Sequence, residues 1–367
     1  MADYSHRLAA LRARMKTTGT DLVALGPTSN MTWASGLSPH GDERPVMQIV
    51  TQTYAGFLMP ALNADSQRPK TDLPFVTWAD DVGPKAALKG LLTEAGAGGA
   101  VAVALDETMR ADFALLLLDH LNVTRRSFLS DTLGYLRSRK DAEEYEILKE
   151  NAVINDGAMR AGFAALREGI TEAEVAAVVA QHYRDNGAET QFLSVCFGPN
   201  GAFPHHHTGQ TRLTRDSAVL IDIGGRKDGY PSDMTRVGAF GTPPARYAEI
   251  HTIVNRAVEA ALAAAKPGVK ASAIDAAARG VITEAGFGPR FLHRTGHGLG
   301  IDIHEEPYIT ATADTVLEEG MVFSIEPGIY LEGEFGLRLE EIVIMRAEGA
   351  EVLSDLPRDV IMVPVKG

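Results

Sequence analysis

The sequence predicts an α+β protein of two domains, a smaller α/β unit followed by a larger domain made from one supersecondary unit used twice. Three observations predict it. The length, 367 residues, suits about two domains. Helix and strand signals alternate over the first third. The remainder carries a helix–helix–strand–strand run twice, at a fixed offset. Hydrophobic residues make up 45% and charged residues 23%, as in an ordinary globular chain.

Residues 6–16 place Leu8, Leu11 and Met15 at helical spacing, with Gly19 as the stop. Residues 21–25, 46–50, 54–59 and 100–105 read as strands, and 85–94 and 110–121 as helices. This unit contains neither a phosphate-binding loop nor a Gly-x-Ser-x-Gly elbow. The boundaries expected are 1–132 for the first domain, 133–141 for a polar linker and 142–367 for the second. In the second domain, long helices over 142–166 and 244–265 each precede a helix bounded by glycines, Gly169 to Gly187 and Gly268 to Gly286. Both pairs of glycines are offset by 99 residues. Strand signals follow at 218–223 and 234–240, and again at 321–326 and 337–345.

Composition excludes several function classes. Lys+Arg number 35 and Asp+Glu 48, a net charge of −13, which disfavours a general nucleic-acid or anionic-membrane binder. One cysteine, Cys196, cannot form an internal disulfide, so a reducing compartment fits. No secretory h-region opens the chain, and the longest apolar run, 113–118, is too short to span a bilayer. A cytoplasmic location is expected.

The chemistry lies in acids at strand ends. Each half closes an apolar strand with an acid beside Gly or Pro, Asp222 and Glu326, and carries a second acid further on, Asp233 and Glu340. Two halves packed about a pseudo-twofold axis would bring the four carboxylates together. Buried together they cannot all stay ionised without a cationic partner, and a divalent metal is the economical one. Alternation along a strand over 337–345 puts Arg338, Glu340 and Ile342 on one face and Glu341 on the other. Arg338 would then steady Glu340; the pattern alone leaves Glu340 and Glu341 both open. Histidines cluster as well. His205, His206 and His207 precede Asp222; His293, His297 and His304 precede Glu326. Gly296 and Gly298 flank His297, so neighbouring backbone can approach it closely. His206 and His207 read more simply as structural or solvated residues.

These motifs resemble those of the pita-bread metallopeptidases, the family of methionine aminopeptidase, aminopeptidase P and prolidase. Asp222 sits in Ile-Asp-Ile-Gly-Gly, Asp233 in Ser-Asp-Met-Thr-Arg and His297 in Thr-Gly-His-Gly-Leu-Gly; Glu326 sits in Ser-Ile-Glu-Pro-Gly-Ile-Tyr and Glu340 in Gly-Leu-Arg-Leu-Glu-Glu. The resemblance covers about residues 140–355, and the first domain is similar to the creatinase-type domain of the Xaa-Pro branch. It implies a pita-bread catalytic domain with internal duplication, and places the ligand at Glu340. It also implies hydrolysis of Xaa-Pro bonds, as an aminopeptidase or a dipeptidase, by a hydroxide shared between two divalent metal ions. Asp222 would hold the second metal, His297 and Glu326 the first, and Asp233 and Glu340 would bridge. His205 and His304 become active-site histidines, Glu326 also a proton carrier, and His293 a pocket-lining residue. A carboxylate-rich set favours Mn²⁺, with Co²⁺, Fe²⁺ or Zn²⁺ as other candidates. The expected partners are a peptide with proline at its second position and a second copy of the chain. The sequence departs from the prolidase pattern at one place: residues 305–320 hold no Lys or Arg to receive a dipeptide carboxylate. Arg338, or Arg44 of a partner chain, would have to serve. The competing reading keeps the fold and metals for a lyase or amidohydrolase acting on a small non-peptide molecule.

Overall fold

The computed structural model describes residues 4–365. The chain divides into two compact units, Met1–Arg137 and Ser138–Gly367. Part of the expected linker is helical: residues Leu133–Arg137 form a short helix at the end of the first unit.

In order, the first unit comprises α1 (Ser5–Thr18), β1 (Leu22–Leu25), α2 (Ser29–Ser35), β2 (Met47–Val50), β3 (Ala55–Pro60), α3 (Ala61–Gln67), β4 (Phe75–Trp78), α4 (Lys85–Glu94), β5 (Ala102–Leu105), α5 (Ala111–Leu118), β6 (Arg125–Phe128) and α6 (Leu133–Arg137). Its six strands form one mixed sheet, β4-β3-β2-β1-β5-β6. Leu88 and Leu91 of α4 and Phe113 and Leu117 of α5 pack against Leu22, Ala24, Ile49 and Leu58 of the sheet. The helix expected over 110–121 spans Ala111–Leu118 only.

The second unit opens with α7 (Ala142–Ala164), α8 (Glu172–Asp185), β7 (Glu189–Phe197), β8 (Ser217–Lys227), β9 (Tyr230–Pro231) and β10 (Met234–Phe240). It continues with α9 (Tyr247–Ala264), α10 (Ala271–Glu284), β11 (Gly296–Gly298), β12 (Glu305–Ile309), β13 (Val322–Ile325), β14 (Gly328–Leu331), β15 (Phe335–Arg338), β16 (Glu341–Arg346), β17 (Gly349–Val352) and β18 (Ile361–Val363). Two main sheets result, β18-β10-β8-β7 and β12-β11-β13-β16-β17, with β14-β15 as a separate hairpin. Capping boxes start α7 at Asp141 and α8 at Thr171.

The duplication shows in the backbone. Gly169 N–H donates to Leu213 O and Glu172 N–H to Thr211 O; in the other half Gly268 N–H donates to Leu317 O and Ala271 N–H to Thr315 O. Strand β8 lies between two cores. Val219, Ile221 and Ile223 pack with α7 and α8, whereas Ala218 and Leu220 join the core of α9 and α10. Alternation therefore turns Asp222, which follows Leu220 by two, toward the second half. The strand expected over 337–345 is not continuous. β15 ends at Arg338 and pairs with β14, while β16 begins at Glu341 and pairs with β13. Leu339 and Glu340 form the crossing between two sheets, which single-strand alternation does not describe. No described helix is long and apolar enough to cross a membrane.

Candidate metal centre

Each expected ligand arrives from a strand end or a constrained strand. Asp222 stands on β8 opposite Thr235 of β10. Asp233 immediately precedes β10, Glu326 immediately follows β13, and Glu340 immediately precedes β16. His297 is the central residue of β11, pinned between β12 and β13. The flanking glycines are required there. A Cβ on Gly296 would stand 1.9 Å from Ser324 O, and one on Gly298 2.4 Å from Glu306 O.

All five residues line one cavity of about 580 Å³, together with His205, His293, His304, Arg294, Arg338, Phe192 and neighbours. Asp233, His297 and Glu340 come closest: each offers a ligand atom within 4.8 Å of the others. His297 Nε2 lies 3.6 Å from Asp233 Oδ2 and 3.3 Å from Glu326 Oε1. Its Nδ1 is 3.1 Å from Gly298 O, so it carries the proton and leaves the Nε2 lone pair facing the acids. The backbone N–H of His297 donates to Ser324 Oγ at 2.9 Å, and that hydroxyl donates to Glu326 Oε1 at 3.0 Å. Glu340 points into the cavity. Glu341 turns the other way, to Arg236 at 2.9 Å and Arg358 at 3.1 Å.

Arg338 corrects one expectation. It does not bond Glu340. Its Nη2 donates to Asp222 at 2.6 Å, its Nε to Thr235 Oγ1 at 2.9 Å and its Nη1 to Tyr330 Oη at 2.7 Å. Thr235 Oγ1 in turn lies 3.0 Å from Asp222 and 2.9 Å from Glu340, donating its single proton to one at a time. All three guanidinium nitrogens of Arg338 are thus engaged, by Asp222, Thr235 and Tyr330.

The electrostatics fit a metal. Burial, then the neighbouring carboxylates, holds Asp233 and Glu340 well above the usual carboxylate range; burial pushes Glu326 up to about 7. Asp233 is buried, yet its carboxylate accepts no hydrogen bond among the described residues. Of the four acids, Arg338 bonds Asp222 alone. An anionic cluster left without compensation is costly, and a divalent cation placed among these donors removes the cost. His297 is kept neutral, down to about 3, by burial and then by His304, whose ring is 4.0 Å away. A neutral imidazole is the form that ligates. Burial and then the Arg294 charge lower His304 as well.

His205 and His304 face the cavity, whereas His206 is tied by Nε2 to Glu172 at 3.0 Å and serves the loop's structure. His293 is locked by Tyr330, whose hydroxyl donates to Nε2 at 2.7 Å, while Nδ1–H donates to Arg294 O at 2.8 Å. Sequence reasoning missed Thr235, Ser324, Tyr330 and Arg294. Thr235 was findable: it lies two residues after Asp233, in the same motif. Tyr330 lies in the Glu326 motif and Arg294 three residues before His297, but neither position announces its contact, because His293 and the Tyr308 ring are supplied by other segments.

The profile of metallopeptidase family M24 matches residues 146–347, and that of the creatinase/prolidase N-terminal domain matches residues 7–133. The chain belongs to metallopeptidase family M24. This M24 chain is 36% identical over 369 residues to a protein named probable dipeptidase PepE from Mycobacterium tuberculosis, covering 99% of the chain and 97% of that relative. It is 34% identical to a Xaa-Pro dipeptidase of Pyrococcus furiosus, covering 97% of the chain and 99% of the relative. Among solved structures, the dipeptidase PepE of Mycobacterium ulcerans superposes with a TM-score of 0.93 at 34% identity, covering 99% of this chain and 98% of that one. The prolidase of Thermococcus sibiricus gives 0.90 at 32%, covering 99% and 100%. The M24 chain is therefore a peptidase of the Xaa-Pro branch, on a creatinase-type plus pita-bread fold, and its family implies divalent metal ions.

The neutral state of His293 has a measurable consequence. Burial, then Arg338, lowers this M24 histidine to about 4. Between the unfolded value near 6.5 and about 4, the unfolded chain takes up a proton that the folded chain refuses, so stability falls as pH falls. At pH 5 the loss from this group is about 2 kcal/mol. Urea unfolding at pH 7.5 and pH 5 should show His293→Gln losing less stability on acidification than the wild type, by about that amount. Equal losses would contradict the environment assigned to His293.

Proposed function

We propose that this protein hydrolyses the bond between the first residue of a peptide and a following proline. One observation carries the reading: four acids and a lone-pair imidazole from both halves of the second unit converge on one cavity, and the Asp233 carboxylate there accepts no hydrogen bond among the described residues. The Xaa-Pro dipeptidase named among the relatives supports the choice of substrate.

Asp222, Asp233, His297, Glu326 and Glu340 would hold two divalent ions. The hard oxygen-rich donor set favours Mn²⁺ over Zn²⁺. When bound, such ions polarise a carbonyl and lower the pKa of a coordinated water. The protein's own residues supply the rest. Arg338 and Thr235 keep Asp222 and Glu340 aimed inward. Glu326, held on one oxygen by Ser324, takes the proton of the attacking water and delivers it to the proline nitrogen. That delivery matters because a tertiary amide nitrogen bears no hydrogen and must be protonated to leave. The imidazoles of His205 and His304, on the cavity wall, donate to the oxygen where negative charge develops. We assign the enzyme to the cytoplasm, as a homodimer.

The test is a substrate panel. Mn²⁺-loaded protein should cleave Ala-Pro or Ala-Pro-Ala at least about a hundredfold faster than Ala-Ala, and chelation should abolish the reaction. Cleavage of none of the three, with metal bound, would favour a lyase or amidohydrolase on a non-peptide molecule.

A further inference from the structure

The cavity contains two permanently charged cations, Arg294 and Arg338. Arg338 is fully engaged by Asp222, Thr235 and Tyr330. Arg294 is different. It is half-buried on the cavity wall, three residues before His297. Its guanidinium lies 4.7 Å from the centroid of the Tyr308 ring. Among the described residues it has no hydrogen-bond or ion-pair partner. A guanidinium stacked by its face keeps its N–H edge free, in the fork geometry that matches a carboxylate.

The position has a use in the proposed reaction. In an Xaa-Pro dipeptide the proline carboxylate sits two bonds beyond the scissile nitrogen. A cation that receives it must stand within about one residue's length, roughly 4 Å, of the hydrolytic centre plus the reach of its own side chain. No Lys or Arg in 305–320 offers one, since that stretch contains neither. The stretch instead provides Tyr308, the residue on which Arg294 rests.

We infer that Arg294 receives the α-carboxylate of the substrate and so makes the site selective for Xaa-Pro dipeptides over longer peptides. The inference rests on the peptidase reading above and deepens it. A longer peptide presents a neutral amide at this position and forfeits the charge-assisted pair. Tyr308 acts as a positioning residue: it holds the guanidinium flat against the wall without touching substrate.

The experiment compares Ala-Pro with its amide, Ala-Pro-NH2, on Mn²⁺-loaded enzyme. Wild type should prefer the free acid by about 10- to 100-fold in kcat/KM, chiefly through KM. Arg294→Met, which keeps the aliphatic stem, should reduce the preference to about threefold or less, and Arg294→Lys should restore part of it. Tyr308→Leu should weaken the preference through KM by a smaller factor. A wild type indifferent to the carboxylate overturns the inference. So does an Arg294→Met enzyme that retains the preference, or one that loses acid and amide in equal proportion. A metal-loaded wild type inert to both substrates overturns the peptidase reading itself, and this inference with it.

Discussion

His297→Ala is expected to lower kcat/KM for Xaa-Pro hydrolysis roughly a thousandfold or more, at least about 4 kcal/mol of transition-state stabilisation, while the fold survives. The imidazole's contacts explain both halves. Nε2 faces Asp233 and Glu326 and no other described partner, so its role is toward the cavity. Structurally, among the described residues, its ring hydrogen-bonds only to backbone, through Nδ1 to the next carbonyl and to the Ile303 backbone. Strand β11 is meanwhile held by backbone pairing to β12 and β13. Asp233→Asn should show the same loss of activity without a loss of stability. In the metal-free protein it removes a buried carboxyl that has no hydrogen-bond partner among the described residues, so melting should stay level or rise. Steady-state kinetics and thermal unfolding on the same samples decide. Activity within tenfold of wild type in either variant would remove these residues from the centre.

The largest structural effect is expected at Arg236. This side chain is fully buried and joins three segments. Its Nε donates to Pro357 O at 3.1 Å, its Nη1 to Thr235 O and Glu340 O, and its Nη2 to Glu341 Oε1 at 2.9 Å and Leu356 O at 2.8 Å. Arg236→Met leaves Glu341 buried beside only Arg358 and strips several carbonyls of their donor. The cost should be about 3–5 kcal/mol in urea unfolding. Because Arg236 grips the carbonyl of Glu340, activity should fall as well, although Arg236 never meets substrate. Pairing the change with Glu341→Leu removes the stranded charge and should recover part of the stability but little of the activity. A loss below about 1 kcal/mol in the single variant would contradict this account of the buried pair.

Much of this was legible in the sequence, and the reasons are physical. Glycine stops, helical spacing and offsets of 99 residues reflect local backbone rules, so α1, α8, α10 and the duplication could be read directly. The candidate ligands could be singled out because an acid ending an apolar strand contradicts ordinary patterning, and the structure brings those residues to one cavity. β6 could not: all four of its residues are exposed, and an edge strand without an apolar face leaves no alternation. The break between β15 and β16 was hidden because residues 337–345 contain no Gly or Pro to mark the change of sheet. The partners of Arg338 were illegible for a related reason. Asp222 is 116 residues away, and only the fold decides that this acid, not the near neighbour Glu340, receives the guanidinium.

Metal uptake is the most direct test of the centre itself. Chelator-stripped protein dialysed against Mn²⁺ and assayed for bound metal should take up two ions per chain, with Asp233→Ala and His297→Ala each binding fewer. A wild type that binds none, or variants that bind as many as the wild type, would contradict a site built from these residues.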